Sequence, residues 1–154
     1  MFFSSNHEPI MTPKVHNVNW KNKILKREYV DGENLSKVEP KEAAEKIAKV
    51  LGTLHSRGWV LGDTKPTNFI QSNNKIYIVD AEQALKSKSE LYMVWDVIAS
   101  LIFLGIYNPL KAVIESMDML ITFLDNYRTS RGNVKIAERT LKILKGMKNI
   151  ETLL

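Results

Sequence analysis

The chain has 154 residues, 44% hydrophobic and 25% charged, with a formal charge of +5. That is one domain's length, enough to bury a real core, in an ordinary globular composition. The absence of cysteine excludes disulfides, thiolate metal sites and cysteine nucleophiles, and the modest positive excess favours anionic partners such as nucleotide or RNA without selecting one.

Residues 1–12 read as irregular. Met1-Phe2-Phe3 is followed by polar residues, so no signal peptide is expected. Phe2 and Phe3 are expected to be buried against the domain or an upper lobe. Residues 14–18 and 23–30 predict two strands joined by a turn at 19–22, with Asp31-Gly32 ending the second. Pro40 suits a first helical turn. Ala44, Ile47, Ala48, Leu51 and Leu54 then recur at helical spacing, predicting an amphipathic helix over 40–56 that Gly58 stops. A hairpin follows, with strands 69–71 and 75–79 around a turn at 72–74. From Ser89 the chain reads as helical to its end, with breaks near 107–109 and 130–133. Met117, Met119, Leu120 and Phe123 are expected in the core. The predicted fold is α+β: a strand pair, a helix, a hairpin and three helices.

The most apolar run is 91–107, and it carries Asp96 in its interior. A helix apolar on all sides is a membrane span or the centre of a core. An ionisable group is expensive in lipid, so a core helix, no membrane and a cytoplasmic location are expected. His55, at the end of the first helix, reads as a structural histidine where the helix dipole favours its charged form. No second histidine lies at metal-ligand spacing. In the last helix Arg131, Lys135, Arg139, Lys142 and Lys145 recur at three- and four-residue steps, while Val134, Ala137, Leu141 and Leu144 mark another face. That pattern is a solvated basic side or a phosphate-contacting stripe for RNA. No aromatic residue interleaves it, so base stacking is unsupported.

The candidate chemistry lies between His55 and Asp80. In a hairpin, the start of the first strand lies beside the end of the second. Asn68 opens one strand and Asp80 closes the other, with Asp63 in the loop leading in. Three oxygen-bearing side chains at one end of a hairpin can hold Mg2+, which takes hard oxygen ligands and shares them with substrate phosphates. Lys65 stands where it can neutralise a transferring phosphate, and Gly62 frees the backbone before Asp63. The alternative is that Asp63 and Asn68 are turn residues bonding their own backbone.

The string Leu54-His55-x-x-Gly58-x-x-x-Gly62-Asp63-x-Lys65-Pro66-x-Asn68, followed by Tyr77-Ile78-Val79-Asp80, resembles the catalytic and metal-binding loops of the protein-kinase-like fold. More narrowly it is similar to atypical archaeal kinases, the RIO family and the kinase subunit of the KEOPS tRNA-modification complex. Residues 77–84 are close to the RIO pattern, 29–32 with Leu35 resemble the hinge, and Pro13-Lys14-Val15 resembles the strand before it. The resemblance spans about residues 12–105. It implies a mainly helical C-terminal lobe over 31–154, with 1–30 as a strand pair and hinge left from the upper lobe. It makes Asp63 the catalytic base, Lys65 the γ-phosphate contact, and Asn68 and Asp80 the holders of Mg2+ or Mn2+. Glu28 and Val30 would offer backbone groups to the adenine of ATP, and Asp96 would brace the catalytic loop from within its helix.

Departures divide the functional reading. The 27 residues before Glu28 contain no glycine, so no glycine-rich phosphate loop is visible, and no strand lysine is singled out among Lys14, Lys21 and Lys23. Leu61 stands where a catalytic-loop histidine is usual, Asp80-Ala81-Glu82 replaces Asp-Phe-Gly, and Arg27 occupies a position usually apolar. Three expectations follow: an atypical Ser/Thr protein kinase or ATPase; a catalytically inactive pseudokinase that binds a protein partner; or an RNA-associated accessory protein using the last helix.

Overall fold

In a computed structural model that describes residues 10–151, the chain is α+β and mainly helical. The first elements are β1 (Ile10–Met11), β2 (Val15–Asn19), β3 (Ile24–Arg27) and β4 (Glu33–Asn34). Then come α1 (Pro40–Ser56), β5 (Trp59–Val60) and a 3-10 turn over Pro66–Asn68. β6 (Phe69–Ser72), β7 (Lys75–Ile78) and β8 (Leu85–Lys86) follow. The chain continues through α2 (Glu90–Tyr107), α3 (Pro109–Thr129) and α4 (Val134–Glu151).

Helix α1 forms because Pro40 pre-sets the backbone of its first turn and the apolar positions repeat on one face. Ala43, Ala44, Ile47, Ala48, Val50, Leu51 and Leu54 are buried, and α1 packs chiefly on α3 and then on α2. Phe123, Tyr127 and Leu104 complete this core from the neighbouring helices. Gly58 closes the helix with φ +73, a conformation glycine adopts without strain.

β6 and β7 form the hairpin beside the helices, paired Phe69 to Ile78 and Ser72 to Lys75. Asn73 and Asn74 both have positive φ, which a tight two-residue turn with matched strand twist requires. β1 adds in parallel to β7 and β4 antiparallel to β6, giving the order β1-β7-β6-β4. β5 and β8 form a separate short pair.

Several sequence expectations are corrected here. Ile10–Met11 is a strand rather than irregular chain, because Ile10 is buried beside Ile76. The second strand of the first pair stops at Arg27, so Glu28 and Val30 lie outside it. β2 and β3 are exposed on both faces. Met117 is 54% exposed, because α3 turns Met119 and Phe123 inward instead. Val134 is exposed, and Arg131 precedes α4 with φ +71 instead of belonging to it. Phe2 and Phe3 lie outside the described residues.

Helix α2 packs Met93, Val94, Val97, Leu101 and Leu104 inward. Leu91, Trp95, Ile102 and Ile106 remain exposed. It is the one helix among the described residues long and apolar enough to cross a membrane. Asp96, at its middle, is fully buried within the fold.

Candidate functional site

The loop from Leu61 to Asn68 is positioned by Asp96. The carboxylate accepts the Leu61 amide at 2.7 Å and the Gly62 amide at 2.8 Å. It also accepts the His55 ring Nε2 at 3.0 Å. The Asp96 carbonyl accepts the Thr64 hydroxyl at 2.9 Å. Trp95, from the same helix, donates its indole N–H to the Gly62 carbonyl at 3.0 Å. An apolar helix thus carries one carboxylate into the core, and that carboxylate satisfies loop amides that would otherwise be buried and unpaired. Gly62 has φ +79, which lets two successive amides, its own and that of Leu61, point at one side chain.

His55 is held at both ends. Its Nδ1 lies 2.8 Å from the Tyr127 hydroxyl and its Nε2 3.0 Å from Asp96. Since the carboxylate only accepts, Nε2 carries the proton, and in the neutral ring Nδ1 then accepts from Tyr127. Burial pushes the Tyr127 phenol above its ordinary range, the Asn133 backbone amide opposes that rise, and the Asp96 charge adds to it. His55 is therefore structural, as the sequence suggested. Its partner is a buried carboxylate as well as a helix end, and Tyr127 was missed altogether. The absence of a second histidine near His55 hid this arrangement, since the partner is an oxygen 72 residues away.

The candidate reacting groups sit beyond this brace. Asp63 is partly exposed, and its carboxylate lies 2.7 Å from the Lys65 ammonium. Burial pushes the Asp63 carboxyl up, but hydrogen bonds from Lys65 and Asn68 and the Lys65 charge outweigh it, leaving it below its ordinary value. Asp63 raises Lys65 in turn, and Asp80 adds a smaller push in the same direction. Asn68 is buried and donates its amide N–H to the Asp63 carbonyl at 3.2 Å. With its nitrogen engaged on Asp63, its side-chain oxygen is the end left to serve as a hard donor.

The hairpin register brings Asp80 to the same end. The Val79 amide donates to the Asn68 carbonyl at 2.9 Å, one step beyond the β6–β7 ladder. Asp80 is the next residue and is exposed. Two carboxylates and one amide oxygen suit Mg2+ far better than a nitrogen- or sulfur-preferring metal. Among the described residues no cluster of three or more His, Cys, Asp or Glu side chains able to hold a metal ion is present.

The segment expected to meet adenine is built differently. The Glu28 amide donates to the Lys14 carbonyl at 2.8 Å, and the Glu28 carboxylate accepts the Lys14 amide at 3.0 Å. Glu28 is exposed and Val30 half-buried. Arg27 reaches the Val79 carbonyl, so β3 is tied to the residue before Asp80. On α4, Arg139 pairs with Glu90 of α2 at 2.6 Å, while Lys135, Lys142 and Lys145 are exposed.

Residues 12–127 match the profile of the WaaY family, described as lipopolysaccharide core biosynthesis proteins. Over 135 residues the chain is 29% identical to a probable serine/threonine-protein kinase BUD32 homolog from Archaeoglobus fulgidus, covering 87% of this chain and 65% of that protein. It is 35% identical over 78 residues to the KEOPS complex subunit Bud32 of Pyrococcus abyssi, covering 46% of this chain and 36% of the relative. A probable bifunctional tRNA threonylcarbamoyladenosine biosynthesis protein of Methanosarcina barkeri is 30% identical over 76 residues, 49% of this chain and 14% of that protein. The chain spans less than two thirds of the length of each of these relatives.

Proposed function

The chain belongs to the WaaY family within the protein-kinase-like superfamily, and from that premise we propose that it transfers a phosphoryl group from ATP to a hydroxyl, with Mg2+ or Mn2+ as cofactor. The observation that carries this reading is the convergence of Asp63, Lys65, Asn68 and Asp80 at one end of the β6–β7 hairpin, on a loop fixed by Asp96. Phosphoryl transfer needs positioning and charge stabilisation more than covalent chemistry. A fixed loop with an ionised carboxylate, a lysine and a hard-oxygen pair supplies both.

In this reading Asp63 accepts the proton of the attacking hydroxyl. Its pairing with Lys65 keeps it ionised, which is the form a base needs. Lys65 leaves that pair to contact the γ-phosphate. Asn68 and Asp80 would hold the metal, which would supply charge neutralisation for the transferring phosphate. Glu28 and Val30 line the adenine edge through their backbones. Residues 1–30 are then the remnant of the upper lobe, a strand pair and hinge, and 31–154 the C-terminal lobe. The acceptor is a protein Ser/Thr hydroxyl or water, in a cytoplasmic setting. A protein partner is part of the proposal, since one relative is a KEOPS complex subunit.

A second reading, a pseudokinase that binds a partner without turnover, is favoured by one specific observation. The Glu28 amide is already bonded to Lys14, and the β2–β3 hairpin beside it is exposed on both faces. ATP binding and hydrolysis with Mg2+ or Mn2+, in the intact chain and in Asp80→Ala, separate the two. Metal-dependent turnover lost in Asp80→Ala supports transfer chemistry. Binding without turnover in both proteins supports the pseudokinase.

A further inference from the structure

We propose that the exposed face of α2 is where the phosphate acceptor docks, and that the acceptor is a Ser/Thr hydroxyl in an uncharged, apolar segment of a protein. This assignment rests on the phosphoryl-transfer reading of Asp63, while the class of ligand comes from α2 itself.

Helix α2 runs beside the loop that carries Asp63 and Lys65. Trp95 donates to the Gly62 carbonyl at 3.0 Å, one residue before Asp63, and is still 56% exposed. The Asp96 carbonyl takes the Thr64 hydroxyl at 2.9 Å. Asp63 raises the Lys65 ammonium most, and Tyr107, at the far end of α2, adds a small push of the same sign. Two exposed aromatic side chains of one helix thus flank the loop. A hydroxyl within hydrogen-bond reach of Asp63 brings its substituents close to them. In the transfer, the acceptor oxygen bonds to the γ-phosphorus as the bond from phosphorus to the ADP oxygen breaks, and the hydroxyl proton goes to Asp63.

The face is open. Residues 81–89, between Asp80 and α2, are held on β5 instead, Leu85 against Val60 and Lys86 against Trp59. Leu91, Trp95, Ile102 and Ile106 lie on one stripe of the helix and are 71, 56, 47 and 61% exposed. A contiguous apolar surface of this kind marks an interaction site.

The ligand class follows from what the stripe holds and lacks. Between Leu91 and Tyr107 the one Asp, Glu, Lys, Arg or His is Asp96, and it is fully buried. A nucleic acid needs cations along its phosphate track, and a sugar needs several polar groups converging on it. From Leu91 to Ile106 the helix rises about 22 Å at about 1.5 Å per residue. That is the length of about seven extended residues at about 3.3 Å each. An extended peptide with apolar side chains on both sides of its hydroxyl fits this length and this surface.

Fluorescence anisotropy without nucleotide tests the surface. The probe is a labelled seven-residue peptide with two leucines on each side of a central serine, and lysine- and glutamate-flanked versions are the controls. The expected result is saturable binding of the leucine peptide alone, weakened roughly tenfold or more in Leu91→Glu and in Ile106→Glu, since each sets a charge into an apolar contact. Leu91→Ala and Ile106→Ala, which add no charge, should weaken binding by a smaller factor. Val134→Glu, at an exposed apolar position on α4, should bind as the parent does. With ATP and Mg2+, phosphate should enter the leucine peptide in preference to the charged ones, with a raised KM for that peptide in Leu91→Glu. Binding with this variant pattern but no phosphate transfer removes the catalytic reading and supports the docking surface. Transfer that ignores the flanking residues, equal binding in the Leu91→Glu/Ile106→Glu double variant, or no binding by the parent overturns the docking surface and leaves the catalytic reading standing. Sedimentation with phosphatidylcholine–phosphatidylglycerol vesicles that is lost in the same variants, with no peptide bound, makes the face a membrane contact and overturns the proposal too.

Discussion

His55 and Asp96 are 41 residues apart in sequence and meet in the core at 3.0 Å, ring nitrogen to carboxylate, both side chains essentially buried. The same carboxylate holds the Leu61 and Gly62 amides, so one group ties α1, α2 and the loop that leads to Asp63 together. Asp96→Ala leaves two amides and an imidazole without their acceptor. Removing one partner of a buried hydrogen-bonded pair costs about 3–5 kcal/mol. Urea unfolding should show a loss of that size, and Asp96→Asn a smaller one because it keeps volume and one acceptor. An unchanged midpoint in Asp96→Ala would falsify the bracing role.

Tyr127 is the far end of that network. Tyr127→Phe keeps the ring and removes the hydroxyl 2.8 Å from His55. About 1–2 kcal/mol should be lost, since buried His55 Nδ1 is left without its partner. Burial raises the phenol in the folded state. Its contribution is therefore complete below the ordinary tyrosine pKa of about 10 and is lost as pH rises beyond it, because only the unfolded chain then ionises. Stability of the parent should fall more steeply than that of Tyr127→Phe above about pH 10. Parallel curves would show that the phenol is free to ionise in place.

Lys65 sets the charge of Asp63. Net of the upward push from burial, the pair and the Asn68 bond hold the Asp63 carboxyl below its ordinary value. For a depressed carboxylate, the ionised form and the stability it brings are present above the ordinary pKa and disappear as pH falls through the lowered one. If Asp63 is the base, the acid limb of kcat/KM follows the lowered value. Lys65→Ala should move that limb to higher pH, measured on a profile normalised to its own plateau. A limb that stays in place assigns it to another group.

Gly32 matters for space rather than for φ. A Cβ there would collide with the Gln71 carbonyl oxygen and lie 2.9 Å from an Ile70 methyl. The chain passes so closely because β4 pairs with β6 through Glu33 and Gln71. Gly32→Ala should therefore cost at least about 1–3 kcal/mol, the usual penalty for overpacking. Gly146, where a Cβ meets nothing within 4 Å, is the control, and Gly146→Ala should hold or gain stability, since alanine is the better helix former. Equal losses at the two positions would remove the steric argument.

The long elements were legible because each carries its own period. Ala44, Ile47, Ala48, Leu51 and Leu54 mark α1, and the paired residues around Asn73 and Asn74 mark the hairpin. Asp96 was legible as a core group because an ionisable side chain in so apolar a run needs a buried partner, and the resemblance to kinases named the loop it braces. β1, β4, β5 and β8 have two residues each. A two-residue strand has no period to read and exists only because tertiary packing places its partner. Tyr127 and the inward turn of Met119 over Met117 have the same cause. Which side of α3 faces α1 is settled by the crossing of the two helices, and local pattern does not hold that information.

The β2–β3 hairpin has no buried residue, with Trp20 85% and Tyr29 88% exposed just outside its strands. An isolated two-stranded hairpin is at best marginal in water. Arg27 on the Val79 carbonyl ties it to the rest, while the Glu28–Lys14 bonds only close the hairpin's own open end. Amides of β2 and β3 should therefore exchange with deuterium close to the free-chain rate, while those of β6 and β7, whose Phe69, Ile76 and Ile78 are buried, follow global unfolding. Adding ATP and Mg2+ should slow exchange at Glu28 and its neighbours if adenine docks on this edge. Exchange there that is slow without nucleotide means the hairpin is stabilised by contacts beyond those described, and exchange that ignores nucleotide removes Glu28 and Val30 from the binding site while leaving Asp63 and Asp80 to be judged by turnover.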